Sequence, residues 1–263
     1  MLGGLTGFTD NKQKDMGERM LNAVATQSIR HLFTQCGDLE VVIRCSPPSK
    51  LLQGSIDSFK MRGSDLVIRR EFQTSEMAFE TDAVAIDLGA ALAGKIKLRQ
   101  PTQAIAHVVL TETAINQAFE AELVKPRLQN LEAPALTRLS GGEPVSFRDV
   151  SLVLHPNQQV TVLATTDLPN RSDIPIRMKA TLEIQKRKRL LFAEPQAVLD
   201  EIPEDIRPLS QLLTDALAEI LNNMVDLDKF NLSGITLRLN RLETSGKRLI
   251  FSGYAQIDHF PEI

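Results

Sequence analysis

Between Ile174 and Ile184 apolar and other residues alternate without a fault. Ile174, Ile176, Met178, Ala180, Leu182 and Ile184 share one parity, and Pro175, Arg177, Lys179, Thr181 and Glu183 share the other. A period of two predicts a β-strand with one apolar and one wet face. At ~3.3 Å per residue it would run roughly 35 Å, longer than most strands. Such a face must be covered by a helix layer, a second sheet or a bound apolar molecule.

The same alternation recurs. Leu39, Val41, Ile43 and Cys45 predict a strand that Pro47-Pro48 stops. Gly54 to Met61 and Leu66 to Phe72 predict a hairpin turning at Arg62-Gly63-Ser64-Asp65. Met77 to Ile86 is extended, with a phase change near Asp82 that predicts a bulge. Thr102 to Leu110 alternates, as do Val145 to Leu154 and Val160 to Ala164 around His155-Pro156-Asn157-Gln158. Leu190 to Phe192 is expected to return against the long strand. A closing hairpin runs through Ile235, Leu237 and Leu239, turns at Thr244-Ser245-Gly246, and returns through Leu249, Phe251 and Ile257.

Helical spacing appears in three places. Met16, Met20, Val24, Ser28, Leu32 and Cys36 recur every fourth position, widened by Leu21, Ala25, Ile29 and Phe33. They predict an amphipathic helix from near Asp10 to a cap at Gly37. Thr111 is a good N-cap for a short helix with Glu112 in its first turn, ending at Lys125-Pro126. Ile206, Leu209, Leu213, Leu217, Ile220 and Met224 form the stripe of a longer helix opening near Pro203 or Pro208. Gln129 to Pro144, with Pro134, Gly141 and Gly142, reads as a loop or insertion. Hairpins dominate and the βαβ rhythm is missing, which predicts an α+β fold built on antiparallel sheet. The expected organisation is an N-terminal helix over 1–37 and one α+β domain over 38–263.

A net charge of −3 and a pI near 5.9 argue against broad attraction to nucleic acid. No Trp and one Tyr leave little for base stacking. The start of the chain, with Gly3, Gly4 and Gly7, does not read as a signal peptide, and no run is long enough to span a bilayer. The expectation is a cytoplasmic protein that meets a membrane at its periphery. Cys36 and Cys45 fall on apolar faces and read as plain buried thiols.

Gly89 to Lys95 has the spacing of a phosphate loop, but Ile96 stands where a hydroxyl is needed, and Ile96 to Arg99 alternates like a strand. A tight bend between strands is expected there. His31, His107, His155 and His259 lie at no metal-ligand spacing. No pattern arranges a nucleophile, a base and an orienting group, so no catalytic residue, metal or cofactor is assigned. Lys186-Arg187-Lys188-Arg189, just beyond the long strand, is either a solvated turn or a basic tip that meets anionic headgroups.

Gly54-Ser55-Ile56-Asp57-Ser58-Phe59, the run Ala106 to Phe119 with Leu110-Thr111-Glu112 and Asn116, and Ser252-Gly253-Tyr254-Ala255 resemble the LmeA family of phospholipid-binding proteins. The resemblance covers the chain from about Leu39 onward. It implies a fold like the tubular lipid-binding (TULIP) proteins, a long antiparallel sheet curled around amphipathic helices, and a non-enzymatic role in binding membrane phospholipid. The lipid lining is then expected from Ile174, Ile176, Met178, Leu182 and Ile184 on the strand and Leu209, Leu213, Leu217 and Ile220 on the helix. Lys186, Arg187, Lys188 and Arg189 are the expected headgroup contacts. The alternative is an interaction or scaffold protein with a filled core, docking a membrane-associated partner.

Overall fold

The computed structural model describes residues 19, 22–23, 25–27, 29–47, 49–68, 70–87, 89–90, 97–229 and 234–258. The alternating segments form twelve strands among these residues. They are β1 (Leu39–Arg44), β2 (Ser55–Ile56), β3 (Ser58–Ile68), β4 (Phe72–Thr81), β5 (Val84–Ala85) and β6 (Thr102–Thr111). β7 (Phe147–Leu154), β8 (Gln159–Leu168), β9 (Arg171–Gln185), β10 (Arg189–Ala197), β11 (Ile235–Ser245) and β12 (Arg248–Ile257) follow. Helical residues within 19–30 constitute α1. Besides the helical residues Gly89 and Ala90, the other α-helices among the described residues are α2 (Ser49–Leu52), α3 (Glu112–Phe119), α4 (Pro134–Leu139) and α5 (Arg207–Met224).

The fold is α+β and every strand pairing is antiparallel. The strands do not make the one long sheet expected. They divide into a six-stranded sheet ordered β1-β3-β4-β6-β12-β11, a four-stranded sheet ordered β10-β9-β8-β7, and the pair β2-β5. The break arises because the last hairpin returns to β6 in the first half of the chain, leaving β7 to β10 to pair among themselves.

The strand of faultless alternation is β9. Ile174, Ile176, Met178, Ala180 and Leu182 are buried, while Lys179 and Glu183 are exposed. Its register aligns Ala180 with Val160, Met178 with Val162, and Leu182 with Phe192. Across this face lies α5, which buries Leu213, Leu217 and Leu221 against it. Each such side chain contributes about 1.5–3 kcal/mol when fully removed from water. The buried hydroxyls are satisfied: Thr166 donates to the Ser146 carbonyl (2.7 Å), Ser210 to Pro175 (2.8 Å) and Thr214 to Ser210 (2.8 Å). Among the described residues no buried side-chain nitrogen or oxygen lacks a partner.

Three asparagines seal sheet edges. The Ile43 N–H of β1 donates to Asn22 Oδ1 (2.7 Å). On β7, the Leu152 N–H donates to Asn116 Oδ1 (2.7 Å) and Asn116 Nδ2 returns a bond to the Leu152 carbonyl (3.1 Å). On β10, the Phe192 N–H donates to Asn222 Oδ1 (2.7 Å) and Asn222 Nδ2 reaches the Phe192 carbonyl (3.4 Å). A primary amide carries an NH2 donor group beside a carbonyl acceptor, so Asn116 and Asn222 satisfy both backbone groups of one edge residue, while Asn22 satisfies one.

Several boundaries differ from expectation. The last described helical residue of α1 is Arg30, not a residue next to Gly37. Backbone pairing wins over helix there, because Thr34 N–H donates to the Val67 carbonyl (2.8 Å) and Val67 N–H to the Gln35 carbonyl (2.9 Å). Gly37 serves close approach: a Cβ there would stand 2.9 Å from the Ser64 carbonyl oxygen. Met16, Met20, Leu21, Val24 and Ser28 lie outside the described residues. Arg62 to Asp65 run inside β3, with Asp65 at φ 49°, and the hairpin turns between Ile68 and Phe72 instead. The feature near Asp82 is a break between β4 and β5 rather than a bulge. Gly89 and Ala90 are helical, not a bend, and 91–96 lie outside the described residues. α3 stops at Phe119, short of Lys125. The expected loop at 129–144 contains α4, anchored by the fully buried Leu136. Cys45 is buried; Cys36 is half-buried, beyond α1.

Candidate functional site

The expected lining residues do meet, but as one packed cluster. Ile174, Met178, Leu213 and Leu217 have no measurable exposure, and Ile176 and Leu182 are 2% exposed. Ile184, Leu209 and Ile220 are half-buried at the margin of that cluster. Of the nine, Ile220 also borders a hollow of about 310 Å³ between α4 and α5, beside Ala133, Ala135, Ala216 and Arg127. Alternation and a helical stripe place these residues on facing surfaces of β9 and α5, where they are buried against one another.

The basic run forms the turn between β9 and β10, and Lys186 and Arg187 have positive φ. Three of its four cations are engaged within the protein. Arg189 Nε donates to the buried Asp226 (2.8 Å) and Lys188 pairs with Asp228. Arg187 bonds Asn240 and stacks 4.7 Å from the Tyr254 ring centroid, while its carbonyl accepts from Leu239 N–H (2.7 Å). The Arg189 side-chain bond holds the Asp226 carboxyl below the usual carboxylate range, and Lys188, then Arg238, do the same for Asp228. The turn braces β11; Lys186 alone of the four lacks an ion pair or side-chain bond among the described residues.

A different apolar surface is only partly covered. Registers place Met77, Val108, Phe251 and Leu242 in one row across β4, β6, β12 and β11. The next row on that face is Phe79, Ala106, Gly253 and Leu239. Met77, Phe79, Ala106, Val108, Phe251 and Leu239 are all half-buried. On one side lies a cluster built on Val41, Ile43 and Met61; on the other lies the cluster of α5 and the four-stranded sheet, which reaches Leu242 and Leu249. Ala106 and Val108 belong to neither. The result is an apolar seam on β6, at Ala106 and Val108, between two filled regions that Met77 and Phe79 border on one side and Phe251 and Leu242 on the other. Gly253 lets β11 close over one flank, since a Cβ there would stand 2.1 Å from the Arg238 carbonyl oxygen.

The opposite parity of the same sheet is mixed, with exposed Ile105 and buried Val109 among polar residues. Glu40, Arg62, Ala78 and His107 make one row there and, with Leu39, Gly63 and Met77 of the other parity, border a hollow of about 710 Å³. His107 Nδ1 lies 3.2 Å from Ser252 Oγ, and among the described residues no carboxylate orients the imidazole. No group of three His, Cys, Asp or Glu among the described residues could hold a metal ion. No described helix is long and apolar enough to cross a membrane.

The run Leu110 to Asn116 explains itself as architecture. Thr111 caps α3 by accepting from Ala114 N–H (3.1 Å). Glu112 accepts from Leu154 N–H (2.8 Å) and pairs with Lys247 (3.3 Å), and Asn116 holds Leu152. One helix turn therefore ties β7 to the end of the six-stranded sheet.

Together these features define an antiparallel α+β protein whose larger sheet offers an apolar seam beside a closed core. The model of the LmeA-like phospholipid-binding family matches residues 13–253, nearly the whole chain, and the protein belongs to that family. No curated protein and no solved structure matches it.

Proposed function

We propose that the protein binds a membrane phospholipid non-enzymatically, with acyl chain laid along the seam of Met77, Ala106, Val108 and Phe251. In this reading the six-stranded sheet is the inner wall of a TULIP-like fold, and the protein works at the periphery of a membrane. The observation that carries it is the half-buried pair Ala106 and Val108, left outside the two clusters that Met77 and Phe251 border, in a chain of a phospholipid-binding family. Each methylene moved from water onto such a surface contributes about 0.8 kcal/mol. The packed strand and helix of the second half act as frame rather than lining, because their apolar faces already satisfy each other.

The test is native mass spectrometry of freshly purified protein beside its Ala106→Trp variant. Ala106 is half-buried between Phe79 and Gly253, so an indole there fills the seam. The parent is expected to carry phospholipid and the variant to lose it with its circular dichroism unchanged. A parent without lipid, or a variant as loaded as the parent, overturns the proposal.

A further inference from the structure

Among the described residues the most exposed large apolar side chain, Leu52 at 81%, stands on a tip that sequence patterning did not single out. In α2, Leu51 turns inward to the cluster containing Ile56 and Val84, so its neighbour Leu52 faces out. The turn is tightly held. Gly54 N–H donates to the Leu51 carbonyl (2.8 Å) and Ile86 N–H to the Gly54 carbonyl (2.7 Å). Gly54 has φ +74°, and a Cβ there would lie 2.2 Å from the Ile86 carbonyl oxygen, so the backbone has no slack. The chain at Lys97 to Arg99 joins the same small ladder through Arg99 N–H to the Ala85 carbonyl (2.8 Å) and Asp87 N–H to the Lys97 carbonyl (2.8 Å). Leu98 packs inward, while Lys97 and Arg99 are exposed. Arg99 Nη1 bonds the Gln53 carbonyl (2.9 Å), which sets the guanidinium against Gln53 and Gly54, the residues that follow Leu52.

The charge state of this tip differs from that of the basic turn at Lys186 to Arg189. There Lys188 and Arg189 are neutralised by Asp228 and Asp226. Here Lys50 pairs with Asp57 (2.7 Å), Asp87 accepts only from the neutral Ala90 N–H (3.1 Å) and keeps its negative charge, and the partner of Arg99 is an uncharged carbonyl, so Lys97 and Arg99 outnumber Asp87 by one charge. Arg44 is exposed where β1 ends, at the same end of the six-stranded sheet where β3 and β6 begin. A rigidly presented leucine flanked by cations that keep their charge is complementary to headgroup phosphates above an acyl layer.

We propose that this tip docks the protein onto an anionic phospholipid bilayer, Leu52 entering the interface while Lys97 and Arg99 meet headgroup phosphates. The proposal rests on the lipid-binding reading and deepens it by naming the surface that faces the membrane. It is tested by flotation with vesicles of equal parts phosphatidylcholine and phosphatidylglycerol, against vesicles of phosphatidylcholine alone. The parent is expected to float with the anionic vesicles only. Leu52→Ser lowers partitioning about tenfold, and Lys97→Gln and Arg99→Gln lower it roughly fivefold each. Lys186→Gln leaves it unchanged. Tip variants that float like the parent, or a loss that follows Lys186→Gln instead, overturn the proposal. Mass spectrometry of the parent separates the two readings. Empty protein overturns the lipid-binding function, whereas loaded protein that ignores anionic vesicles overturns the tip alone.

Discussion

Asn116→Ala is the sharpest probe of the run that carries the family resemblance. The amide makes two bonds to one residue of an edge strand, accepting from Leu152 N–H at 2.7 Å and donating to its carbonyl at 3.1 Å. Each intramolecular bond of this kind is worth about 0.5–1.5 kcal/mol net, so removal of both costs about 1–3 kcal/mol. The side chain is half-buried, so water reaches the vacated groups and the loss stays within that range. Asn116→Asp keeps the acceptor and loses the donor, and should recover about half. Urea unfolding followed by circular dichroism gives the energies, and amide exchange at Leu152 localises them. Lipid content should not change in either variant. An Asn116→Ala protein as stable as the parent, or one that folds normally but loses its lipid, would refute the view that this run is a structural clamp.

Two further outcomes follow from the frame. Leu217→Ala opens a cavity where the side chain has no exposure, and is expected to cost about 2–5 kcal/mol in urea unfolding. Bound lipid should stay the same by mass spectrometry; a lipid loss without destabilisation would instead make Leu217 part of the lining. On acidification, the carboxyls of Asp226 and Asp228 are held low in the folded state by Arg189, Lys188 and Arg238, so the folded state favours their ionised form. That contribution is present at neutral pH and disappears as pH falls below about 4 toward the folded values. The melting temperature should drop over that window, and Asp226→Asn should flatten the drop; an unchanged slope would count against the brace.

What the sequence revealed follows the range of the forces involved. Alternation in β9 and the stripe of α5 were legible because each records only which side of an element is dry. Thr111 as a cap was legible because its partner, Ala114 N–H, is three residues away. The split into two sheets was not, because the pairing of β12 with β6 joins distant parts of the chain. Neither was the fate of the basic turn, since Asp228 and Asp226 stand 40 and 37 positions from the cations they neutralise. Gly37 misled because a glycine signals either a helix end or a close approach, and only the Ser64 carbonyl tells which. The seam escaped because its residues are individually ordinary. Met77, Val108 and Phe251 become a site only when register brings three strands side by side, although Ala104 and Ala106, small residues on one parity of β6, hinted at a face with less bulk.

Proteins that gather on a bilayer reach high local density, where exposed strand margins can recruit one another into stacked fibrils. By spending an asparagine on β1, on β7 and on β10, this chain gives a crowded neighbour fewer backbone rows to add to at those margins. Losing one of those amides would therefore uncover backbone groups at that margin and favour self-association through it.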